Sequence, residues 1–482
     1  MVSEKIIGRE IEIAELQRGM NSDRSEFIIV YGRRRVGKTY LVDNFFNYEY
    51  DFSFVGGHKL SKQKQLRNFA KAMKKYAKMQ SQPKYSSWDD AFDSLEEYIE
   101  RLPMEKRKVI FIDEMPWIDT PQSEFVEALE SFCNGWAARR RDSVFIASGS
   151  STSWMMDNLV ENQGGLHARI TRNIYVRPFT LQQAEAYMAS RSAKWDRYQV
   201  LQAYMIIGGI PFYYSLLNVT ESLAQNIDRL FFRKNGELRT EFDELYNALF
   251  TNAEKYKAVV RQLNGRRDGM TREELEKNTG IDKSVLSMVL RNLERSDFIL
   301  PYSQFGNKKK GTIYRLVDFY TLFYYRFIDG FNTQDEQWWS HNIQSHTIDS
   351  WQGLSFELVC FMHLAQIKHK LGISGISTSA ASWRYVPTKK NEPGGTEKGT
   401  QIDLLIDRAD RVINLCEMKF SVRPFPITAD YESLLRNRLA IFQEKTKTTK
   451  TIVHTFVSTF GVSDGLHKSI VNSEVTMNDL FS

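Results

Sequence analysis

The sequence predicts a multidomain α/β protein, and three observations lead to that fold class. The chain has 482 residues, which is more than one ordinary hydrophobic core holds, so we expect about three domains. Near the N-terminus an apolar strand, a glycine-rich loop and an amphipathic helix follow one another. Near the C-terminus two apolar strands flank a polar turn, and acidic residues and a lysine interrupt their apolar sequence. We therefore expect one site in each terminal region.

The composition is that of a globular protein, with 42% hydrophobic and 26% charged residues. The net charge of +6 is compatible with an anionic partner but does not require one. No apolar run reaches the roughly 18 residues of a membrane helix, and the N-terminal MVSEKIIGRE is too charged for a signal peptide. We expect a cytoplasmic protein without a membrane partner, with Cys133, Cys360 and Cys416 as reduced core thiols.

Residues 1–180 are expected to form a nucleotide-binding core. The stretch EFIIVYGRRRVGKTYLVDNFF matches the pattern G-x-x-x-x-G-K-[ST] at Gly32, Gly37, Lys38 and Thr39. Such a loop surrounds phosphates with backbone N–H groups, its lysine reaches the β- and γ-phosphates, and its threonine hydroxyl holds Mg²⁺. ATP and Mg²⁺ are the expected cofactors. The expected nucleotide-binding residues of the loop are Gly32, Arg33, Arg34, Arg35, Val36, Gly37, Lys38, Thr39 and Tyr40.

A second strand, in KRKVIFIDEMPWID, ends in two acidic residues. We expect Asp113 to bind the Mg²⁺ ion through water and Glu114 to orient the attacking water as a general base. A third apolar strand, in SVFIASGSSTSWMM, ends in small polar residues. Ser148, Ser150 or Ser151 could sense the γ-phosphate, or this strand end could be only a turn.

The middle of the chain predicts helical and winged-helix segments. Residues 181–250 have helical periodicity and are expected to form a lid of the ATPase. Residues 251–320 have the order helix, helix, turn, helix and hairpin, which is typical of a winged helix. In this segment we expect a capping box from Thr271 to Glu274, a helix end at Gly280 and an N-cap at Asp282.

Basic residues of the winged-helix segment raise the question of DNA contact. Lys283 and Arg291 lie on its third helix, and Lys308, Lys309 and Lys310 lie at the predicted hairpin tip. They could contact DNA phosphates. A lysine run at a hairpin tip is also typical of a solvated turn, and the winged helix could instead serve as a packing module. Residues 321–350 are expected to be a helical linker.

Residues 351–482 contain the second candidate site. In GTQIDLLIDRADRVINLCEMKF the midpoint between Asp403 and Glu417 is residue 410, inside the turn, so a hairpin places the two acids opposite each other. Lys419 shares a face with Glu417 because side chains alternate along a strand. Adjacent carboxylates favour a divalent cation with oxygen ligands, and a neighbouring lysine can assist an attacking water.

The hairpin is similar to the D…E-x-K geometry of PD-(D/E)xK nucleases. That resemblance implies that Glu357, in the helix GLSFELVCFMHLAQ, is a further metal ligand beside Asp403 and Glu417, with Mg²⁺ or Mn²⁺ as the ion. Asp403, Glu417 and Lys419 would then be the catalytic residues of a phosphodiester-cleaving site. A hairpin with one cross-strand charge network is the structural alternative. The lysine- and glycine-rich insert VPTKKNEPGGTEKG is either a mobile substrate loop or a disordered segment.

The GRRRVGKT loop together with the D…E-x-K hairpin resembles a family of prokaryotic AAA+/STAND-like P-loop ATPases. That family combines the ATPase with a winged helix and a C-terminal PD-(D/E)xK restriction-endonuclease-like domain. The helix that begins in IIGREIEIAEL resembles the adenine-side entry of these ATPases. The resemblance also implies that Arg169 or Arg172 contacts nucleotide, either in cis or across the subunit interface of a homo-oligomer.

Two functions follow as hypotheses. The first is an ATP-hydrolysing protein that acts on nucleic acid, with DNA as the expected partner, and cuts it with a metal-dependent C-terminal site. The second is a STAND-like nucleotide-dependent switch whose C-terminal domain is a non-catalytic binding module. The intact set Asp403, Glu417 and Lys419 favours the first hypothesis.

Overall fold

A computed structural model describes residues 6–103, 106–161, 164–306, 311–331, 334–386 and 399–482. The chain divides into two compact units. The N-terminal unit consists of Met1–Pro178, Ile210–Phe212 and Asn247–Thr251. The C-terminal unit consists of Phe179–Gly209, Tyr213–Tyr246 and Asn252–Ser482.

The N-terminal unit is built on a five-stranded sheet in the order β2-β3-β4-β1-β5, and all its strand pairs are parallel. The strands are β1 (Glu26–Tyr31), β2 (Phe52–Val55), β3 (Lys108–Asp113), β4 (Ser143–Gly149) and β5 (Arg172–Tyr175). Every residue of β3 and β4 is buried, as expected for a parallel sheet covered on both faces. This parallel α/β sheet confirms the fold predicted for the first part of the chain.

Six α-helices connect or flank these strands: α1 (Glu10–Met20), α2 (Lys38–Phe45), α3 (Lys62–Tyr76), α4 (Trp88–Glu100), α5 (Phe125–Asn134) and α6 (Thr152–Met155). The apolar faces of α3, α4 and α5 form one aromatic-rich core with β2, β3 and β4. Rings of Phe69, Trp88 and Phe125 lie 5.1 to 5.7 Å apart along this core. The core fixes the carboxyl ends of the strands, where the nucleotide motifs lie.

The chain then forms five helices, as the periodicity of residues 181–250 predicts: α7 (Leu181–Ser190), α8 (Arg197–Ile207), α9 (Pro211–Ser215), α10 (Leu223–Ile227) and α11 (Glu237–Leu249). Thr180, Asp196 and Ser222 each form a capping box that begins α7, α8 and α10.

A small three-stranded antiparallel sheet with three helices follows. Its elements are α12 (Ala253–Leu263), β6 (Met270–Thr271), α13 (Arg272–Thr279), α14 (Lys283–Arg295), β7 (Ile299–Tyr302) and β8 (Ile313–Leu316). The capping box of Thr271 with Glu274, the left-handed Gly280 and the Asp282 cap are all present. The element order is the one expected of a winged helix, and that assignment stays a prediction. Lys308, Lys309 and Lys310 lie outside the described residues.

Residues 319–370 form four helices: α15 (Phe319–Phe327), α16 (Trp338–Asn342), α17 (His346–Met362) and α18 (Leu364–Lys370). The predicted linker at 321–350 therefore contains α16, most of α15 and the start of α17. No helix in the described parts of the chain combines the length and apolar character that a membrane span requires.

The last sheet has the order β13-β12-β11-β10-β9. Its strands are β9 (Thr378–Tyr385), β10 (Thr400–Arg408), β11 (Val412–Lys419), β12 (Thr451–Ser458) and β13 (Ser473–Thr476), and α19 (Ala429–Thr446) connects β11 to β12. The pairs β9–β10 and β10–β11 are antiparallel, and the pairs β11–β12 and β12–β13 are parallel. Most of the insert at 386–399 lies outside the described residues.

The register of the β10–β11 hairpin determines which residues face each other. Leu404 pairs with Cys416, and Asp407 pairs with Ile413, so the hairpin is centred on residue 410. The next positions outward are Asp403 and Glu417. The observed register thus has the predicted centre, and it ends one pair before Asp403 and Glu417, where β10 has an irregularity between Ile402 and Leu405.

Candidate functional site

The glycine-rich loop joins the end of β1 to the start of α2, and its two motif glycines are needed for different reasons. Gly32 has φ of 147°, and a Cβ atom there would lie 2.3 Å from the carbonyl oxygen of Val176. Gly37 has φ of 92° with open space around its missing side chain. The first glycine permits a close backbone approach, and the second permits a left-handed turn into the helix.

A buried arginine outside the loop motif fixes the loop in place. Arg9, which is 5% exposed, donates to the carbonyl oxygens of Val36 at 3.0 Å and Arg177 at 2.8 Å. It thereby ties the loop to the segment that follows β5. The sequence motif GREIE marked this residue only by resemblance, and nothing in it indicated these two acceptors.

The P-loop lysine lies inside the loop. Its amine donates to the carbonyl oxygens of Gly32 at 3.0 Å and Arg33 at 3.1 Å. Burial lowers the pKa of Lys38, and the negative charges of Glu114 and Asp113 oppose that shift. The amine is therefore aimed into the loop interior, where the phosphates of a nucleotide would bind.

The threonine of the loop and the first acidic residue after β3 are in direct contact. Thr39 Oγ1 donates to Asp113 Oδ2 at 2.8 Å, and the Ser148 hydroxyl donates to the other oxygen of the same carboxylate. A hydroxyl beside a carboxylate at this place is the oxygen ligand set that P-loop proteins use for Mg²⁺. The residues present therefore fit the expected ion.

Glu114 also lies at the carboxyl end of the parallel strands, directly after β3. Its backbone is left-handed, with φ of 49° and ψ of 47°, and Oε2 accepts from the Ser150 N–H at 3.1 Å and hydroxyl at 2.7 Å. Two of the three candidate sensor serines thus bind the acidic pair: Ser148 binds Asp113, and Ser150 binds Glu114. Ser151 precedes α6.

The remaining loop residues differ in environment. Arg33 is 2% exposed, whereas Tyr40 is 50% exposed. The guanidinium groups of Arg34 and Arg35 lie over aromatic rings, those of Trp117 at 5.8 Å and Phe212 at 4.2 Å. Their predicted contact with nucleotide remains a prediction.

Arg169 precedes β5 and Arg172 is its first residue, so both lie near the amino end of that strand, whereas the P-loop follows the carboxyl end of β1. Because β5 is parallel to β1 and Arg172 pairs with Ile28, its amino end lies away from the loop. Arg169 donates to the Asn134 side chain at 2.8 Å, and Arg172 pairs with Glu15 at 3.0 Å and with Glu26 at 3.3 Å. This position gives no support to a contact with nucleotide in cis, and such a contact stays a prediction. A contact across a subunit interface stays a prediction.

The second site is a pocket of about 240 Å³ in the C-terminal unit. Glu357 comes from α17, Asp403 from β10, and Glu417 and Lys419 from β11. All four line the pocket, together with Arg267 and Arg438. The structure therefore brings the four residues predicted from the sequence to one place and adds two arginines.

Arg267, between α12 and β6, bridges two of the carboxylates. Its Nη2 donates to Glu357 Oε1 at 2.7 Å and to Asp403 Oδ2. Burial and the charge of Asp403 raise the pKa of Glu357 to about 7. Glu357 Oε2 is buried and has no hydrogen-bond partner among the described residues.

Glu417 is neutralised by a different set of groups. Lys419 lies 2.9 Å from its Oε1, Tyr431 donates to the same oxygen, and Arg438 pairs with Oε2. Burial would raise the pKa of Glu417, but Lys419, Arg438 and Tyr431 together hold this pKa below its usual value. Lys419 thus lies beside Glu417, as strand alternation predicts.

The expectation that Glu357, Asp403 and Glu417 jointly form a metal centre stays a prediction. Across the parts of the chain that the structure describes, no three His, Cys, Asp or Glu side chains are placed to hold an ion together. Arg267 pairs with Glu357 and Asp403, and Lys419 and Arg438 pair with Glu417. The unpaired Glu357 Oε2 and the all-oxygen donor set nevertheless fit Mg²⁺ or Mn²⁺.

Sequence reasoning missed Arg267, Tyr431 and Arg438 at this site. Tyr431 and Arg438 lie one helix beyond the motif, on α19, and a helix that follows a D…E-x-K hairpin could have drawn attention to them. Arg267 carried no signal, because it lies 90 positions from Glu357 and 136 from Asp403.

Lys283 and Arg291 are exposed on α14, and their DNA contact stays a prediction.

Residues 6–217 match the sequence family described as an ATPase domain predominantly from Archaea. This part of the chain is therefore similar to ATPase domains, and it contains the parallel α/β sheet and the glycine-rich loop described above. An uncharacterized protein of Methanocaldococcus jannaschii is 26% identical over 327 residues, which cover 67% of this chain and 68% of that protein.

Solved structures of P-loop ATPases are also similar to the chain. The Walker-type ATPase of Pyrococcus abyssi has a TM-score of 0.49 and 18% identity, and the match covers 67% of this chain and 97% of the other. The ORC2 protein of Aeropyrum pernix has a TM-score of 0.42 and 12% identity, and the match covers 75% of this chain and 98% of the other.

Proposed function

We propose that this protein binds and hydrolyses ATP and uses a metal-dependent C-terminal site to act on nucleic acid, with DNA as the expected substrate. The observation that carries the ATPase part is the hydrogen bond from Thr39 to Asp113 beside a buried Lys38. The match of residues 6–217 to an ATPase domain supports the same reading.

Each residue of the nucleotide site has a definable task. Lys38 and the loop N–H groups bind the phosphates, and Glu114 accepts a proton from the attacking water while Ser150 holds its carboxylate. Thr39 and Asp113 would hold Mg²⁺, which neutralises phosphate charge when it is bound. Arg9 keeps the loop in the binding conformation.

The test of the ATPase is nucleotide binding and phosphate release by the full chain. Wild type is expected to bind a fluorescent ATP analogue and to release phosphate with Mg²⁺. Lys38→Ala is expected to lose both activities. Binding that is unchanged in Lys38→Ala would overturn the assignment of the loop.

The C-terminal site supports phosphodiester hydrolysis through the geometry of its acids. Asp403 and Glu417 each lie next to the Leu404–Cys416 pair of the hairpin, and both line one pocket with Glu357 from α17. Glu357 and Asp403 would hold a divalent ion, which supplies Lewis acidity when it is bound. Lys419 is placed to orient the attacking water and to hold Glu417.

One observation favours a second candidate function. Arginine or lysine neutralises each of the three carboxylates, which is also what a non-catalytic binding module would show. In that case the chain would be a STAND-like switch, in which nucleotide state controls partner binding.

Cleavage assays separate the two candidates. Plasmid, linear DNA and RNA would be incubated with Mg²⁺ or Mn²⁺, with and without ATP, beside Glu417→Ala. Cleavage by wild type that Glu417→Ala abolishes is the expected result. No cleavage under any condition, with ATP hydrolysis intact, would favour the switch.

A further inference from the structure

A second pocket, of about 280 Å³, lies beside the carboxylate site in the C-terminal unit. We call it the arginine pocket. Four arginines line it, and none of its lining residues is acidic. The four are Arg266, Arg267, Arg315 and Arg326.

Three of these arginines form no ion pair within the described residues, although the charge of Arg315 also acts on Glu357. The structure gives Arg266, Arg315 and Arg326 no ion pair in those parts of the chain, although Arg326 lies 6.0 Å from the Phe327 ring. Several guanidinium groups around one small volume repel one another, and an anion between them relieves that repulsion. Planar guanidinium groups bind phosphate with two parallel hydrogen bonds.

The pocket also has an apolar wall. Trp351 and Leu354 line it from α17, and Leu354 is 42% exposed. Cationic groups beside an apolar wall fit a nucleotide unit of a strand better than a bare inorganic anion, because the sugar and base need apolar contact.

Arg267 belongs to both pockets. Its guanidinium pairs with Glu357 and Asp403, and it is 41% exposed on the segment between α12 and β6. Two glycines with positive φ, Gly265 at 74° and Gly269 at 66°, flank it in that segment. The side chain therefore borders two alternative partners: the carboxylate pair and whatever anion enters the arginine pocket.

We propose that the arginine pocket binds a phosphate of a nucleic-acid strand, and that Arg267 exchanges Glu357 and Asp403 for that phosphate. This inference rests on the proposed action on nucleic acid and assigns it a further binding site. When Arg267 leaves, the two carboxylates repel each other, and a divalent cation relieves that repulsion. Strand and cation must then raise each other's affinity by the same factor.

The experiment measures Mn²⁺ binding to the full chain by electron paramagnetic resonance, without ATP. The titration is repeated with a single-stranded DNA of ten nucleotides that carries phosphorothioate linkages to block cleavage. Binding that remains in Asp403→Asn is subtracted, because it does not belong to the carboxylate site. We expect the oligonucleotide to raise the Mn²⁺ affinity at least about fivefold, within the usual range of such coupling.

Arginine variants test whether Arg267 exchanges its two carboxylate partners for the phosphate. Arg267→Ala should bind Mn²⁺ more tightly without the oligonucleotide and show no further rise with it. Arg326→Ala should bind the oligonucleotide more weakly and lose the rise. Arg436→Ala is the matched control: Arg436 is an exposed arginine that pairs with Glu432 and lines neither pocket, so its variant should behave as wild type.

Several outcomes would overturn the proposal. One is an unchanged Mn²⁺ affinity in Arg267→Ala. Another is an equal rise with inorganic phosphate or AMP, which would make the pocket a small-anion site. The readout does not depend on cleavage: linkage without cleavage would refute the nuclease assignment alone, and cleavage without linkage would refute this inference alone.

Discussion

The nucleotide site and the carboxylate site differ in where their neutralising partners come from. At the nucleotide site, Thr39 and Ser148 donate to Asp113, and the partners of Glu114 and Lys38 also belong to the strand-end motifs. At the carboxylate site, Glu357 and Asp403 are neutralised by Arg267, which lies outside the hairpin and α17.

The two kinds of partner have different consequences for cation binding at each site. Hydroxyl and backbone partners leave the negative charge of Asp113 available for a cation. Arginine partners cancel the charge of Glu357 and Asp403, and breaking one of their charged pairs leaves the other charge uncompensated. A metal ion could therefore bind Asp113 without displacing a charged partner. At the carboxylate site, the Arg267 guanidinium would have to leave Glu357 and Asp403 before a metal ion could bind them.

The largest effect is expected from Glu114→Gln at the nucleotide site. Glu114→Gln keeps the hydrogen bonds from Ser150 but removes the base, so phosphate release should fall about 1000-fold. Affinity for a fluorescent ATP analogue should stay within about twofold, since general-base loss acts on the chemical step. Measurable turnover near the wild-type rate would show that Glu114 is not the base.

Substitutions of the two P-loop glycines test whether the close approach of the loop backbone to Val176 is maintained. Gly32→Ala places a Cβ atom 2.3 Å from the Val176 carbonyl oxygen, and we expect it to cost about 3 kcal/mol and to abolish ATP binding. Gly37→Ala enters open space and should cost only the strain of its φ, about 1 kcal/mol. Thermal unfolding checks the order, and equal losses would mean that the close approach to Val176 is not maintained.

A pH effect is expected in the C-terminal unit, at the end of the helix that carries Glu357. His363 Nε2 accepts from the Leu181 N–H at 3.3 Å, and burial lowers the pKa of His363 to about 4. Because the unfolded chain binds the proton more readily, this stability is full above about pH 6.5 and is lost as the pH falls towards 4. The loss between pH 6.5 and pH 5 should be about 2 kcal/mol.

The measurement compares the unfolding temperature of wild type and His363→Gln at pH 7.5 and pH 5. Gln can accept the same hydrogen bond without titrating, so the variant should lose less stability on acidification. An equal loss of stability on acidification in both proteins would mean that a group other than His363 causes the pH dependence.

The smallest effect is expected from Tyr431→Phe at the carboxylate site. It removes one donor to Glu417 and leaves Lys419 and Arg438 in place, so the free energy of unfolding should fall by about 1 kcal/mol. Chemical denaturation measures this change. A loss several times larger would mean that Tyr431 is the main partner of Glu417, which would weaken the view that arginine and lysine dominate this site.

The two sites also differ in how far they could be predicted. The P-loop is a contiguous motif between a strand and a helix, so pattern alone located Lys38 and Thr39. The centre of the β10–β11 hairpin at residue 410 followed from the symmetry of a short hairpin, where local geometry fixes the register. The position of Arg169 near the amino end of β5 could not be predicted, because sequence order does not reveal at which end of a parallel sheet a residue lies.

The sequence by itself determined the local chemistry: the parallel α/β core, the glycine loop, the acidic strand ends and the D…E-x-K hairpin. Periodicity and short-range spacing carry that information, because hydrogen bonding within a strand, turn or helix depends on near neighbours. Only the tertiary structure decided that Arg9 holds the P-loop and that Arg267 lies between Glu357 and Asp403. These contacts join residues far apart in the chain, where packing of whole elements selects the neighbour and no local pattern records it.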